Sequence, residues 1–265
     1  CFYELALYYY HQDENDKILE ILETMDAKIP PDIIPYTNKY FESMVFNLLG
    51  LAYDAKESYE QAIDIYNMAI STEADNKYVY ANKGNTLRKM EHYDEALDAL
   101  DKAIHIDADF VRAHQIRGSI FLSMNDYNQA LDTYNKIITI DPDNEYAHAN
   151  KGNTLRKMDR YDEALAALDQ AIHLDPDYKW AYRMRGLAFI NMNKFEQAIR
   201  NFNKAISVDP QYTYAYIDKG VALRYLMRFD EAVDACKKAI EIDPENDWGY
   251  HQLGHTYELM KQYKD

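Results

Sequence analysis

Few side chains in this 265-residue chain could carry chemistry, and their spacing decides which of them do. His251 and His255 stand four apart, which places both imidazoles on one helical face within reach of a single metal ion. Neither a cysteine nor a third histidine joins them locally, and there is no His-Glu-x-x-His, so no metal or other cofactor is expected. Cys1 and Cys236 cannot build a disulfide framework and fit a reducing compartment. A glycine-rich phosphate loop, a nucleophile elbow and a working carboxylate pair are all missing, so no catalytic residue is expected. What recurs instead is a polar run, Ala-Asn-Lys-Gly-Asn-Thr-Leu-Arg-Lys-Met, at 81–90 and again at 149–158. Its amides both donate and accept, and its guanidinium suits carboxylates. Such a set is equipped to hold another chain rather than to break a bond.

The elements that position these groups announce themselves through a period. Gly50, Gly84, Gly118, Gly152, Gly186, Gly220 and Gly254 are each 34 residues apart, leaving Gly249 as the one glycine off the lattice. With Gly50 as position 8, position 20 reads Ala62, Ala96, Ala130, Ala164, Ala198 and Ala232. Position 27 is Ala69, Ala103, Ile137, Ala171, Ala205 and Ala239. Position 11 holds Tyr53, Leu87, Phe121, Leu155, Phe189, Leu223 and Tyr257. Positions 4, 8 and 11 share one face of a first helix, A, and positions 20, 24 and 27 one face of a second, B. Small residues at 8 and 20 let the two approach; a bulky residue at Gly152 should cost roughly 1–3 kcal/mol. Asp141-Pro142 and its three copies are expected to start a helix, with Asp as N-cap and Pro first in the helix.

These columns resemble the tetratricopeptide repeat (TPR) family. Its 34-residue consensus has an aromatic at 4, small residues at 8, 20 and 27, aromatics at 11 and 24, and proline at 32. The departures are Lys83, Arg117, Lys151, Arg185 and Lys219 at position 7, usually leucine, and Cys236 at position 24. The resemblance implies an all-α fold: a right-handed α-solenoid superhelix of tandem helix-turn-helix hairpins with a concave groove. Full repeats are expected at 43–76, 77–110, 111–144, 145–178, 179–212 and 213–246. A divergent unit is expected at 1–32, an insert extending the next helix A at 33–42, and a lone helix A at 247–265. With Cys1 in place of an initiator Met, the sequence reads as an excised fragment.

In the family, helix A positions 2, 5, 6, 9, 12 and 13 line the groove. Carried over, they give Tyr78, Asn82, Asn85, Arg88 and Lys89 from one repeat, and Arg112 and Gln115 from the next. Tyr146, Asn150, Asn153, Arg156 and Lys157 follow, then Trp180 and Arg183, then Tyr214 and Arg224. Across the in-register repeats these positions hold seven cations and, at Asp54, Asp218 and Glu258, three acids, while the chain carries a formal −16. That inversion points to an acidic, extended peptide or protein partner. Some family members grip peptide backbones with asparagine at position 6, but here Ile116 and Met184 interrupt the series. Net charge argues against nucleic acid and anionic membranes, and the lack of a long apolar run argues against membrane insertion. A cytoplasmic, non-enzymatic interaction scaffold is the expectation. The other readings are the substrate-recruiting arm of a transferase-like enzyme, and a structural protein that self-associates through its open repeat ends.

Overall fold

A helix needs a start, a sustained apolar stripe and a stop, and each 34-residue block supplies two of each. The computed structural model describes residues 39–262, which form thirteen helices and no strand. In chain order they are α1 (Lys39–Ala55), α2 (Tyr59–Thr72), α3 (Lys77–Lys89), α4 (Tyr93–Ile106), α5 (Val111–Ser123), α6 (Tyr127–Ile140) and α7 (Glu145–Lys157). Then come α8 (Tyr161–Leu174), α9 (Lys179–Asn191), α10 (Phe195–Val208), α11 (Thr213–Tyr225), α12 (Phe229–Ile242) and α13 (Asp247–Gln262). Odd-numbered helices are the A helices. The divergent unit expected at 1–32, and Cys1 with it, lies outside the described residues. Of the expected insert, the described part begins at Lys39, where α1 starts ahead of position 1 at Ser43.

The chain forms two compact units, one ending at Asn125 and the other beginning at Asp126. In the first, α1 pairs with α2 and α3 with α4, and α5 packs on both α3 and α4. In the second, α7–α8, α9–α10 and α11–α12 are hairpins, α6 packs on α7, and α13 packs on α11 and α12. Position 24 is the centre of each hairpin: Tyr66, Leu100, Leu168, Phe202 and Cys236 are fully buried. The apolar contacts then continue from one hairpin to the next, as where Ala149, Leu168 and Ala171 meet Ala181 and Met184. Burial pushes the Cys236 thiol up to about 11, so it is a core residue and a poor nucleophile.

Position 24 also explains the glycines. A Cβ on Gly84 would lie 2.8 Å from Leu100 Cγ, on Gly152 2.5 Å from Leu168 Cγ, and on Gly186 2.4 Å from the Phe202 ring. No described glycine has a positive φ. Room, not backbone freedom, selects glycine here. Backbone freedom is needed at position 15, where Glu57, Glu91, Asn125, Asp159, Asn193 and Met227 have φ between 56° and 62°. Each ends helix A in a left-handed turn; His92 N–H then bonds Leu87 O, and Arg160 N–H bonds Leu155 O, five residues back at 2.9 Å.

One expectation needs correcting. Asp141, Asp175, Asp209 and Asp243 do not start helix A; each is the C-cap of the preceding helix B. Proline excludes its predecessor from the α region, so the Asp must end a helix. Asp175 and Asp209 then accept from the N–H groups of Asp177 and Gln211 at 2.9 Å. Helix A is started instead by Asn76, which accepts from Tyr78 and Val79 N–H, and by Asn144, which accepts from Ala147 N–H. The position-7 cations also have a structural use. Lys83 Nζ donates to Asn67 Oδ1 at 2.7 Å, and Arg117 and Arg185 reach Asp101 and Asp169. Each fastens a helix A to the helix B before it, where the family has leucine.

Candidate functional site

Because successive A helices lie side by side within a unit, residues about 34 apart meet across them. Positions 2, 5, 6, 10, 12 and 13 therefore form cross-helix contacts. In the first unit, Asn82 Nδ2 donates to Asn47 Oδ1 at 2.7 Å, and Asn82 Oδ1 accepts from Arg112 Nη2 at 2.7 Å, joining α1, α3 and α5. Lys89 Nζ pairs with Asp54 at 2.6 Å, and Thr86 Oγ1 donates to the other oxygen of the same carboxylate at 2.7 Å. Arg88 donates from Nε and Nη2 to Asn85 Oδ1. Tyr78 is half exposed and meets Phe110 edge to face at 5.2 Å, while Gln115 is partly buried.

The second unit uses the same residue types differently. Arg156 on α7 donates from Nε and Nη2 to Asn153 Oδ1 and from Nη1 to Asn191 Oδ1 of α9, at 2.9–3.3 Å. Arg183 on α9 pairs with Asp218 on α11 at 2.6 Å and sits over the Tyr214 ring at 5.0 Å. Burial, then the neighbouring Arg183 charge, draws Arg156 below its usual range. Burial pushes the Asp218 carboxyl up against the pull of both guanidiniums. For Arg183, burial is the largest single influence and lowers it, but the charge and hydrogen bond of Asp218, with Tyr212, together leave it raised. Tyr146 and Trp180 are partly buried, whereas Tyr214 and Lys157 are exposed.

Some of the expected groove residues are already committed inside the fold. Arg224 is only 9% exposed and donates to Gln252 Oε1 at 2.7 Å, so its guanidinium faces a neighbouring helix. Asn82 and Asn150 are buried, and Asn150 Nδ2 donates to its own helix at Tyr146 O. Asn191 and Gln252, which partner Arg156 and Arg224, and Asn47, which partners Asn82, occupy positions 13, 6 and 5 and so belong to the same columns; their reach across helices is what sequence spacing did not convey. His251 stacks on the Trp248 ring at 4.9 Å, and among the described residues no three His, Cys, Asp or Glu side chains could hold a metal.

Four arginines of this face are held differently from two at the helix B starts, although Lys89 and Arg183 on the same face pair with acids. Arg88, Arg112, Arg156 and Arg224 are held by amide oxygens. Arg160 and Arg228, at the helix B starts, are instead held by Glu163 and Glu231 in two-pronged pairs near 2.6 Å. Amides fix a guanidinium without neutralising it. Stacked helical hairpins that present oriented polar groups on one face define a protein-interaction scaffold. Tetratricopeptide repeat profiles match residues 45–76, 78–110, 145–178, 180–212, 213–246 and 235–265, and a TPR repeat profile matches 118–159. The chain belongs to the tetratricopeptide repeat family.

No curated protein matches the chain. Among solved structures, a tetratricopeptide repeat protein from Parabacteroides merdae is similar at 16% identity, with a TM-score of 0.76 and 97% of each chain covered. MamA is similar at 28% identity and a TM-score of 0.53, over 64% of this chain and 92% of its own. YrrB, titled a TPR protein with an unusual peptide-binding site, is 24% identical with a TM-score of 0.50, over 70% of this chain and 96% of its own. No helix among the described residues is long and apolar enough to cross a membrane.

Proposed function

We propose that the A-helix face of each unit binds an extended, acidic segment of another protein. The observation that carries this is the set of guanidiniums held by amides, Arg88, Arg112 and Arg156, on a chain with a formal charge of −16. A strongly acidic protein that keeps un-neutralised arginines on one face creates a local attraction for carboxylates, and Arg meets these with two parallel bonds. Exposed Tyr78 and Tyr214 beside the cations offer apolar contact between the charges. The face holds a chain and orients it; the work is recognition.

Fluorescence anisotropy with labelled peptides of equal length, one rich in Glu and one rich in Lys, tests this directly. The acidic peptide should bind at least tenfold tighter, with affinity falling as salt rises. Equal affinity for the two would remove the reading.

A further inference from the structure

In the second unit, two guanidiniums and one carboxylate share a partly buried face across three adjacent A helices. Arg183 and Asp218 satisfy each other at 2.6 Å. Arg156 is left with the amides of Asn153 and Asn191 as its hydrogen-bond partners, within electrostatic reach of both other charges. A guanidinium in such surroundings has lost part of its hydration without gaining a counter-ion in direct contact, and a carboxylate brought to it restores the balance. Asn153 and Asn191 grip it from two helices, so its plane is fixed before any ligand arrives.

Resting on the proposed peptide-binding role, we infer that Arg156 is the residue that receives a Glu or Asp side chain of the bound segment, and that Asp218 sets the strength of that contact by occupying Arg183. A side-chain carboxylate, rather than a chain terminus, fits a face that presents Tyr146 on α7 and Tyr214 on α11, on either side of α9. The chain can run on in both directions. The first unit lacks this pairing although its repeat carries the identical run. The position that holds Arg183 after Arg156 holds Gln115 after Arg88, and Asn191 is matched by Ser123. Arg88 is held by one amide on its own helix.

The experiment is binding of the Glu-rich peptide to the wild-type chain and to Arg156→Gln, Arg156→Lys, Arg88→Gln and Asp218→Asn, with circular dichroism confirming that each variant is folded. Arg156→Gln should weaken binding about tenfold, the value of one charge-assisted contact. Arg156→Lys should keep much of the affinity, and Arg88→Gln should weaken it by less than Arg156→Gln does, about two- to threefold, because a single amide on its own helix orients Arg88 less firmly. Asp218→Asn should strengthen binding several-fold, because it frees Arg183; a merely structural role for Asp218 would not produce a gain. Amidating the peptide terminus should change nothing, whereas replacing its Glu residues with Gln should abolish binding. If the wild-type chain prefers acidic peptide but Arg156→Gln binds it equally well, the inference falls and the proposed function stands. Loss on amidation alone overturns it too. If Asp218→Asn proves unfolded, the Arg156 and Arg88 variants still decide the matter.

Discussion

Residues 81–107 and 149–175 are identical at 22 of 27 positions, and each folds into the same hairpin, α3–α4 and α7–α8. Inside the hairpins the likeness is complete: Gly84 faces Leu100 as Gly152 faces Leu168. Around them it ends. In the first copy Lys89 and Thr86 both bond Asp54 on α1, and Lys77 pairs with Asp107 to close the repeat. In the second, Glu145 and Asp175 take the places of Lys77 and Asp107, and Leu122 takes the place of Asp54. Thr154 bonds Asn150 O of its own helix, as Thr86 also bonds Asn82 O, and Arg156 reaches forward to Asn191. The lesson is that a repeat specifies its own packing but borrows its electrostatics from its neighbours. Identical arginines become different tools.

The largest test of that comparison concerns the part that should not differ. Gly84→Val and Gly152→Val should each destabilise by about 1–3 kcal/mol in urea melts, because each new side chain meets a buried leucine at the crossing point. Trp180 and Trp248 both lie in the second unit, so tryptophan fluorescence should report the loss from Gly152→Val, while circular dichroism follows both variants. Grossly unequal losses by circular dichroism would break the equivalence of the two hairpins.

The acids should differ. Asp54→Asn removes a carboxylate that two donors share and should cost about 1–2 kcal/mol. Asp218→Asn should cost less, under about 1 kcal/mol, because burial already disfavours the Asp218 charge. The pH dependence supplies the sign. A carboxyl raised in the fold binds its proton more tightly in the native state. The stability this adds is full below the unfolded carboxyl range and is lost as pH rises through the shifted value. Urea melts of Asp218→Asn across acidic pH should therefore lack this component of the wild-type slope.

The smallest effect lies at the turns. Glu91 and Asp159 both adopt φ near 60°, but Asp tolerates that conformation better than Glu. Replacing Glu91 with Gly should stabilise by about 0.5 kcal/mol and replacing Asp159 by less, since glycine also loosens the unfolded chain. Equal gains from paired thermal melts would mean that the shorter side chain brings no local advantage.

Read as a sequence, the chain determined its helices, their pairing and their closest contacts, because a 34-residue period of small and large residues leaves one way for two helices to pack. It also marked the columns from which the candidate face is drawn. Where proline sits in the turn misled it: Asp141 looks like a helix start by type, and steric exclusion before Pro142 makes it a helix end. Tertiary structure alone decided which cations are spent and which are kept. Arg224 and Arg156 both occupy position 12, yet one is buried against Gln252 and the other is held by Asn153 and Asn191 beside a second guanidinium. Charge interactions depend on distances between residues some thirty positions apart, and on the water removed from between them. Neither quantity is written in the order of residues along one repeat.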